Sequence, residues 1–189
     1  IKLYNSFNII VKGIKMNIKK TLENYGITSI YHFTDKANLQ TIEKYGLQSL
    51  KNICNLNITV KHFGAEEISH ILDERSGLDK YVHLAFIKDH PMYHVAKSRG
   101  NLINPIWIEL DSSILYEDTT LFCDKVANKN GTEIFHIDEV LEKINFDILT
   151  NNRNVSGDDW KIRKEIRKAE IMALNSISAN KIKGITYGK

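Results

Sequence analysis

Apolar residues recur along this chain in short runs separated by turn residues, and the period of each run assigns an element. Residues 28–33 are β-branched and aromatic and read as a strand. Asp35 suits the N-cap of a helix over residues 36–45, with Leu39, Ile42 and Tyr45 on one face and Gly46 as its C-terminal stop. A second helix is expected over 65–74, closed by Gly77, followed by a strand over 81–87. Lys88-Asp89-His90-Pro91 interrupts that strand, and residues 92–99 form a short helix ending at Gly100. Pro105 introduces the mostly apolar run 106–110, which has the character of a buried strand. Residues 121–135 read as a loop with Asn128-Lys129-Asn130-Gly131 at its tip. An amphipathic helix over 136–144, a polar stretch over 151–159, a helix over 160–168 capped by Ser156 or Asp158, and strands over 171–177 and 181–187 complete the chain. Short strands mixed with short helices, without regular alternation, predict an α+β fold.

Composition bounds this picture. At 189 residues, 42% hydrophobic and 26% charged, the chain is long enough for one sizeable core, so a single domain over 28–189 is expected. Residues 1–27 then form an N-terminal extension; because Met16 opens Met16-Asn17-Ile18-Lys19-Lys20, residues 1–15 read with equal weight as native chain or as an upstream addition. No run approaches the roughly 20 apolar residues that cross a bilayer, so neither a membrane anchor nor a secretory signal is expected. Cys54 and Cys123 stand far apart, which suits a reducing cytoplasm. The seven histidines show no zinc-like grouping, since Pro91 spoils a helix carrying His90 and His94, and no metal is expected.

Charge adds an asymmetry that the formal net value of +3 hides. Eight Lys or Arg residues lie between 161 and 189 against Glu165 and Glu170, whereas residues 101–160 carry twelve acidic residues against four basic ones. A basic strip beside Trp160 suits a phosphate backbone with a stacked base; it equally suits a solvated helix face with internal ion pairing.

Two places carry candidate chemistry. His32 and Thr34, at the end of the first strand, set an imidazole and a hydroxyl where a ribose or amide docks, although a histidine at a strand end serves structure as readily. Glu170 heads the apolar run Ile171-Met172-Ala173-Leu174 after a basic helix. Burial there raises a carboxyl pKa, and Arg167 and Lys168 oppose that; the plain alternative is a helix-end ion pair with Arg167 or Arg163.

Several segments, in order, resemble one family. Ile30-Tyr31-His32-Phe33-Thr34, with Asn38-Leu39, Ile42 and Gly46-Leu47, resembles the opening of the DarT family, ADP-ribosyltransferases that modify bases of DNA. Tyr81 to Phe86 followed by His90-Pro91-Met92 resembles that family's strand and Pro-Met turn; Trp107-Ile108-Glu109-Leu110-Asp111 resembles its central strand; Phe122 to Ala127 resembles its substrate-facing loop; and residues 163–174 resemble the arginine-rich helix that runs into the strand bearing the catalytic glutamate. The similarity spans about residues 28–185.

The resemblance implies an ADP-ribosyltransferase core of two small packed β-sheets with flanking helices, and NAD as co-substrate in the cleft. It implies that His32, Phe33 and Thr34 contact nicotinamide and its ribose and that Glu170 is catalytic. Departure of nicotinamide leaves positive charge on the ribose, which a nearby carboxylate stabilises; Glu170 then also serves as the group that takes the acceptor's proton. Family members carry an arginine before the Pro-Met turn where this chain reads Lys88-Asp89-His90. Lys88 or Arg99 is expected to supply that charge, with Arg99 preferred, and the departure leans towards guanine rather than thymine as the target. The expected acceptor is single-stranded DNA, where no unpairing is required. Lys125, Lys129, Arg163, Lys164 and Arg167 are the DNA-contact candidates. The resemblance further implies a toxin countered by a macrodomain antitoxin. Two rival readings are an ADP-ribosyltransferase acting on RNA or protein, and a catalytically silent nucleic-acid-binding module.

Overall fold

Along the strand that starts at Glu170, Ile171 and Ala173 enter one hydrophobic cluster and Met172 another, so this strand separates two packed layers. The computed structural model describes residues 2–64 and 67–188. In chain order the elements are α1 (Lys2–Asn24), β1 (Ser29–Asp35), α2 (Leu39–Tyr45), β2 (Leu47–Gln48), α3 (Leu50–Asn55), α4 (Glu67–Arg75), β3 (Tyr81–Ala85), α5 (Pro91–Ser98), β4 (Pro105–Asp111), β5 (Leu121–Cys123), β6 (Ile134–Phe135), α6 (Val140–Lys143), α7 (Phe146–Thr150), α8 (Gly157–Ile166), β7 (Glu170–Leu174), β8 (Ser176–Ile177) and β9 (Ile182–Tyr187). The predicted α+β class is the observed one.

Seven strands form one antiparallel sheet in the order β6-β5-β7-β3-β1-β4-β9, and β2 pairs with β8 in a separate two-stranded ribbon. The main core lies on one face of the large sheet, where Ile30, Leu84, Phe86, Ile108, Phe122 and Ile171 meet Val140, Phe146 and Leu149 from α6 and α7. Ile18 and Leu22 of α1 and the following Ile27 join this core. The N-terminal extension therefore contributes side chains to the core ahead of residue 28. A smaller aromatic cluster around Ala85, Tyr93, Ala96, Leu102 and Trp107 occupies the other face.

Several elements differ from the sequence expectation for identifiable reasons. The loop expected over 121–135 is a hairpin, in which Phe122 pairs with Phe135 and stacks on it at 6.4 Å between ring centres. Its strands are two and three residues long, too short for a period to register. The strand expected over 171–177 breaks at Asn175, whose φ of 61° turns the chain out of the large sheet and into the ribbon. Helices α3 and α7, of six and five residues, are too short for their apolar spacing to stand out in the sequence.

Gly46 ends α2 with φ 74° and ψ −172°, a conformation open essentially to glycine alone. A Cβ there would lie 2.2 Å from the Ile177 carbonyl oxygen on β8. Gly46→Ala is therefore expected to lower unfolding stability by about 3 kcal/mol, the backbone strain plus displacement of the ribbon. Urea denaturation checks this; a loss under about 1 kcal/mol contradicts it.

Candidate active site

Pairing places Tyr31, Ala85, Glu170 and Cys123 in one row across β1, β3, β7 and β5. Glu170 thus stands in the middle of the sheet, 8% exposed, at the floor of a cavity of about 280 Å³. His32, Phe33 and Thr34 of β1 line the same cavity, so the two sequence segments 138 residues apart face one cleft.

The Glu170 carboxylate has two donors, and both reach Oε2: Nδ1 of His83 at 3.1 Å and the backbone N–H of Ala127 at 3.2 Å. Neither Arg163 nor Arg167 takes part, which disposes of the helix-end ion pair as the reason for an acid at this position. Burial would push the Glu170 pKa up, but the His83 hydrogen bond and charge, His90 and the Ala127 N–H outweigh it and hold the carboxyl below its ordinary value. Burial would likewise lower the pKa of His83, and the Glu170 hydrogen bond and charge reverse that, so His83 sits above the usual imidazole value. Each group thus favours the charged form of the other, the carboxylate as anion and the imidazole as cation.

His32 is tied to the same strand. Its Nδ1 donates to the His83 carbonyl at 3.0 Å, which leaves Nε2 as an acceptor. Burial keeps this imidazole below its ordinary pKa, and therefore neutral near pH 7. Thr34 is buried and accepts from Asn38 Nδ2 at 3.1 Å; the same amide donates to the His62 carbonyl at 2.7 Å, and Asn38 Oδ1 accepts from the Lys61 N–H at 2.9 Å. Asn38 thereby pins the 61–64 segment, whose His62, Phe63 and Gly64 form a wall of the cavity. Phe33 packs edge-on against Trp107 at 5.4 Å and Tyr93 at 5.9 Å and stacks near His90 at 6.2 Å, which fixes its ring beside the cleft.

A neutral acceptor, a buried anion and a rigid aromatic wall are the groups needed to hold an amide-bearing ribosyl cation and to stabilise charge on its ring. Residues 31–189 match the family described as ssDNA thymidine ADP-ribosyltransferase, DarT. The chain belongs to the DarT family. That description names thymidine, whereas the Lys88-Asp89-His90 departure leans towards guanine. No protein of curated function matches the chain.

Among solved structures, the fold resembles Thermosipho africanus DarTG in complex with ADP-ribose, at 18% identity and a TM-score of 0.69, over 85% of this chain and 44% of that one. The chain thus spans less than half of the Thermosipho DarTG chain. It also resembles Thermus sp. 2.9 DarT in complex with ADP-ribosylated ssDNA, at 17% identity and 0.66, over 87% of this chain and 83% of that one. The same Thermus protein in complex with carba-NAD+ matches at 16% identity and 0.63, over 86% and 83%. At such identities the likeness establishes the DarT fold.

Against that fold, the two candidates for the missing arginine's charge separate. Arg99, at the C-cap of α5, lines the cavity. Lys88 turns to Glu109 at 3.6 Å and to Thr186 at 3.0 Å, with its ammonium over the Tyr31 ring at 5.1 Å. Asp89, in the Lys88-Asp89-His90 segment before the Pro-Met turn, pairs with the guanidinium of Arg167.

The nucleic-acid candidates divide as well. Arg167 is 8% exposed: besides Asp89 it donates to the Leu149 carbonyl at 3.1 Å, the Asn151 carbonyl at 2.8 Å and Asn152 Oδ1 at 3.1 Å. Its assignment to DNA contact is corrected, because the guanidinium is spent on the α7–α8 connection. Arg167→Ala is expected to cost about 2 kcal/mol, chiefly from buried carbonyls left without donors; Asp89, half exposed, regains water. A melting temperature unchanged within error would refute this. Lys129 and Lys168 both pair with Glu165, at 3.6 and 2.5 Å, which links the 124–133 loop to α8. Lys125 pairs with Asp124 at 3.4 Å, Arg163 donates to the Arg153 carbonyl at 2.5 Å, and Lys164 lies 5.1 Å over Trp160, which is 51% exposed.

The sequence assigns no site role to His83 or Asn38, although both stand in segments that resemble the DarT family. A histidine in the middle of the apolar strand 81–86 is the signal that marks the first, and Asn38 is marked only by its place in the family's opening motif.

Proposed function

We propose that this chain transfers ADP-ribose from NAD+ to a thymine of single-stranded DNA, releasing nicotinamide. The reading rests on one observation: the His32 segment and Glu170 face a shared cavity in which the carboxylate is held ionised by His83 and the Ala127 N–H. The DarT family description and the Thermus DarT complexes with carba-NAD+ and ADP-ribosylated ssDNA support the same substrates.

The residues present fit NAD+. His32 Nε2 is placed to accept from the carboxamide or a ribose hydroxyl, Phe33 offers an apolar wall to the nicotinamide ring, and Arg99 brings positive charge to the cleft for the diphosphate. NAD+ supplies a ribosyl carbon with a neutral leaving group. Glu170 orients the ribose through the oxygen that carries neither donor, and its negative charge stabilises the cationic ring as the glycosidic bond lengthens.

Lys125, Lys129, Arg163 and Lys164 with Trp160 form the surface on which the DNA strand is proposed to lie, running from the loop beside Glu170 onto α8. A toxin role, countered by a macrodomain antitoxin that removes the mark, follows from the DarT resemblance of the sequence and is compatible with the partial likeness to Thermosipho DarTG; the cytoplasm is the compartment proposed for it. No described helix is long and apolar enough to cross a membrane. Among the described residues no group of three or more His, Cys, Asp or Glu side chains is placed to hold a metal ion.

Incubation with labelled NAD+ and thymine-containing oligonucleotides, single-stranded and duplex, followed by mass spectrometry of the product, tests the proposal. An ADP-ribose adduct on thymine of the single strand is expected. Exclusive labelling of duplex, RNA or protein rejects it.

A further inference from the structure

The acceptor's proton needs a destination, and Glu170 is poorly suited to take it. Its Oε2 is occupied by two donors, and its depressed pKa makes the ionised carboxylate a weak base. Two further carboxylates, Asp73 and Asp79, line the same cavity. Asp73, on α4, accepts from Asn128 Nδ2 at 3.0 Å through Oδ1. Asn128 directly follows Ala127, whose N–H holds Glu170, so two successive residues of one loop each hold one of the two acids.

We propose that Asp73 is the base that accepts the N3 proton of the attacking thymine, while Glu170 serves the ribose alone. This inference rests on the function proposed above and divides the labour within that site. In thymidine N1 is glycosylated, so N3 bears the ring's one N–H. The N3–H bond breaks with its proton passing to the Asp73 carboxylate, and the N3 electron pair forms the bond to ribose C1′. The bond from C1′ to nicotinamide breaks with its electrons going to the departing neutral ring, and Asp73 later returns its proton to solvent. Atoms and charge balance with no further reactant.

The surroundings of Asp73 agree with the role. Burial, with Glu170 of β7 adding to it, pushes its pKa above the ordinary carboxylate value; His83 of β3, Asn128 of the loop and His70 of its own helix oppose this without cancelling it. A base whose pKa is raised towards the working pH is more effective than one whose pKa is lowered. Asp73 and Glu170 are thus pushed in opposite directions, the pattern by which paired acids divide roles.

The test uses single-stranded oligonucleotides with one thymine, or with 5-fluorouracil in its place, whose N3–H is more acidic. Asp73→Asn keeps the size of the side chain. It is expected to slow transfer to thymine about 100-fold at pH 7. On the 5-fluorouracil strand most of the loss should disappear, and the variant's rate on thymine should climb with pH. Asp73→Glu, which keeps a carboxylate, should outperform Asp73→Asn on thymine. Equal slowing on both strands assigns Asp73 a structural role and overturns the proposal, as does full activity of Asp73→Asn on thymine. Failure of the unaltered protein to modify thymine at all instead defeats the function proposed for the chain.

Discussion

Glu170→Gln is expected to lower ADP-ribosyl transfer to single-stranded DNA about a thousandfold while leaving the chain folded. The glutamine carbonyl can accept the same two donors, His83 Nδ1 and the Ala127 N–H, so local geometry survives. What is lost is the negative charge facing a ribosyl ring that becomes cationic as nicotinamide departs, in a site buried enough for charge to act at full strength. A thousandfold corresponds to about 4 kcal/mol of transition-state stabilisation. The measurement is kcat/KM with NAD+ and a thymine-bearing oligonucleotide, beside the thermal shift that NAD+ produces in each protein. Retained transfer within tenfold, with normal folding, removes Glu170 from the chemistry.

His83→Leu is expected to cost about 10- to 100-fold at neutral pH and to move the acid limb of the rate profile upwards. His83 supplies both a hydrogen bond and positive charge to Glu170, the main influences against burial. Without them burial dominates, the Glu170 pKa rises, and a larger fraction of the carboxyl is protonated at any given pH. The sign for stability follows from the same pair. Glu170, whose pKa is depressed from 4.5, contributes stability that is present above that value and lost as pH falls through its folded pKa. His83, raised from 6.5, contributes stability that is present below that value and lost as pH rises through its folded pKa. The pair therefore contributes fully between pH 4.5 and 6.5, and its contribution fades below the lowered folded pKa of Glu170 and above the raised folded pKa of His83. His83→Gln, which restores a donor without charge, should recover part of the rate. An acid limb in His83→Leu that coincides with that of the parent protein would show that the histidine does not tune Glu170.

The same carboxylate illustrates how a sequence argument reaches its limit. An acid heading an apolar strand is visible in the chain, and so is the ambiguity over its partner. The basic neighbours Arg163 and Arg167 looked like natural counter-ions because they are close in sequence. Their side chains leave the site: α8 ends at Ile166, and the turn that follows aims Arg167 at Asp89 and the Leu149 and Asn151 carbonyls. The actual counter-ion comes from β3, eighty-seven residues earlier in the chain. Asp89 shows the converse case, because its departure from the DarT pattern was plain in the sequence but its meaning, a structural pair with Arg167, was not.

Local periodicity and turn chemistry determined by themselves most of what is contiguous here. The strands at 29–35, 81–85 and 105–111, the helices at 39–45 and 91–98, the stops at Gly46, Gly77 and Gly100, and the order of motifs placing the chain among DarT proteins are all legible, since each depends on neighbours within a turn or a pleat. Only the tertiary structure decided which polar groups meet. Strand order β5-β7-β3-β1 is not encoded in any single segment, yet it sets Cys123, Glu170, Ala85 and Tyr31 in one row and His83 within reach of the carboxylate. The pKa of each acid in the cleft depends on burial and on charges delivered by distant strands and loops, quantities that exist only once the sheet has closed its layers around them.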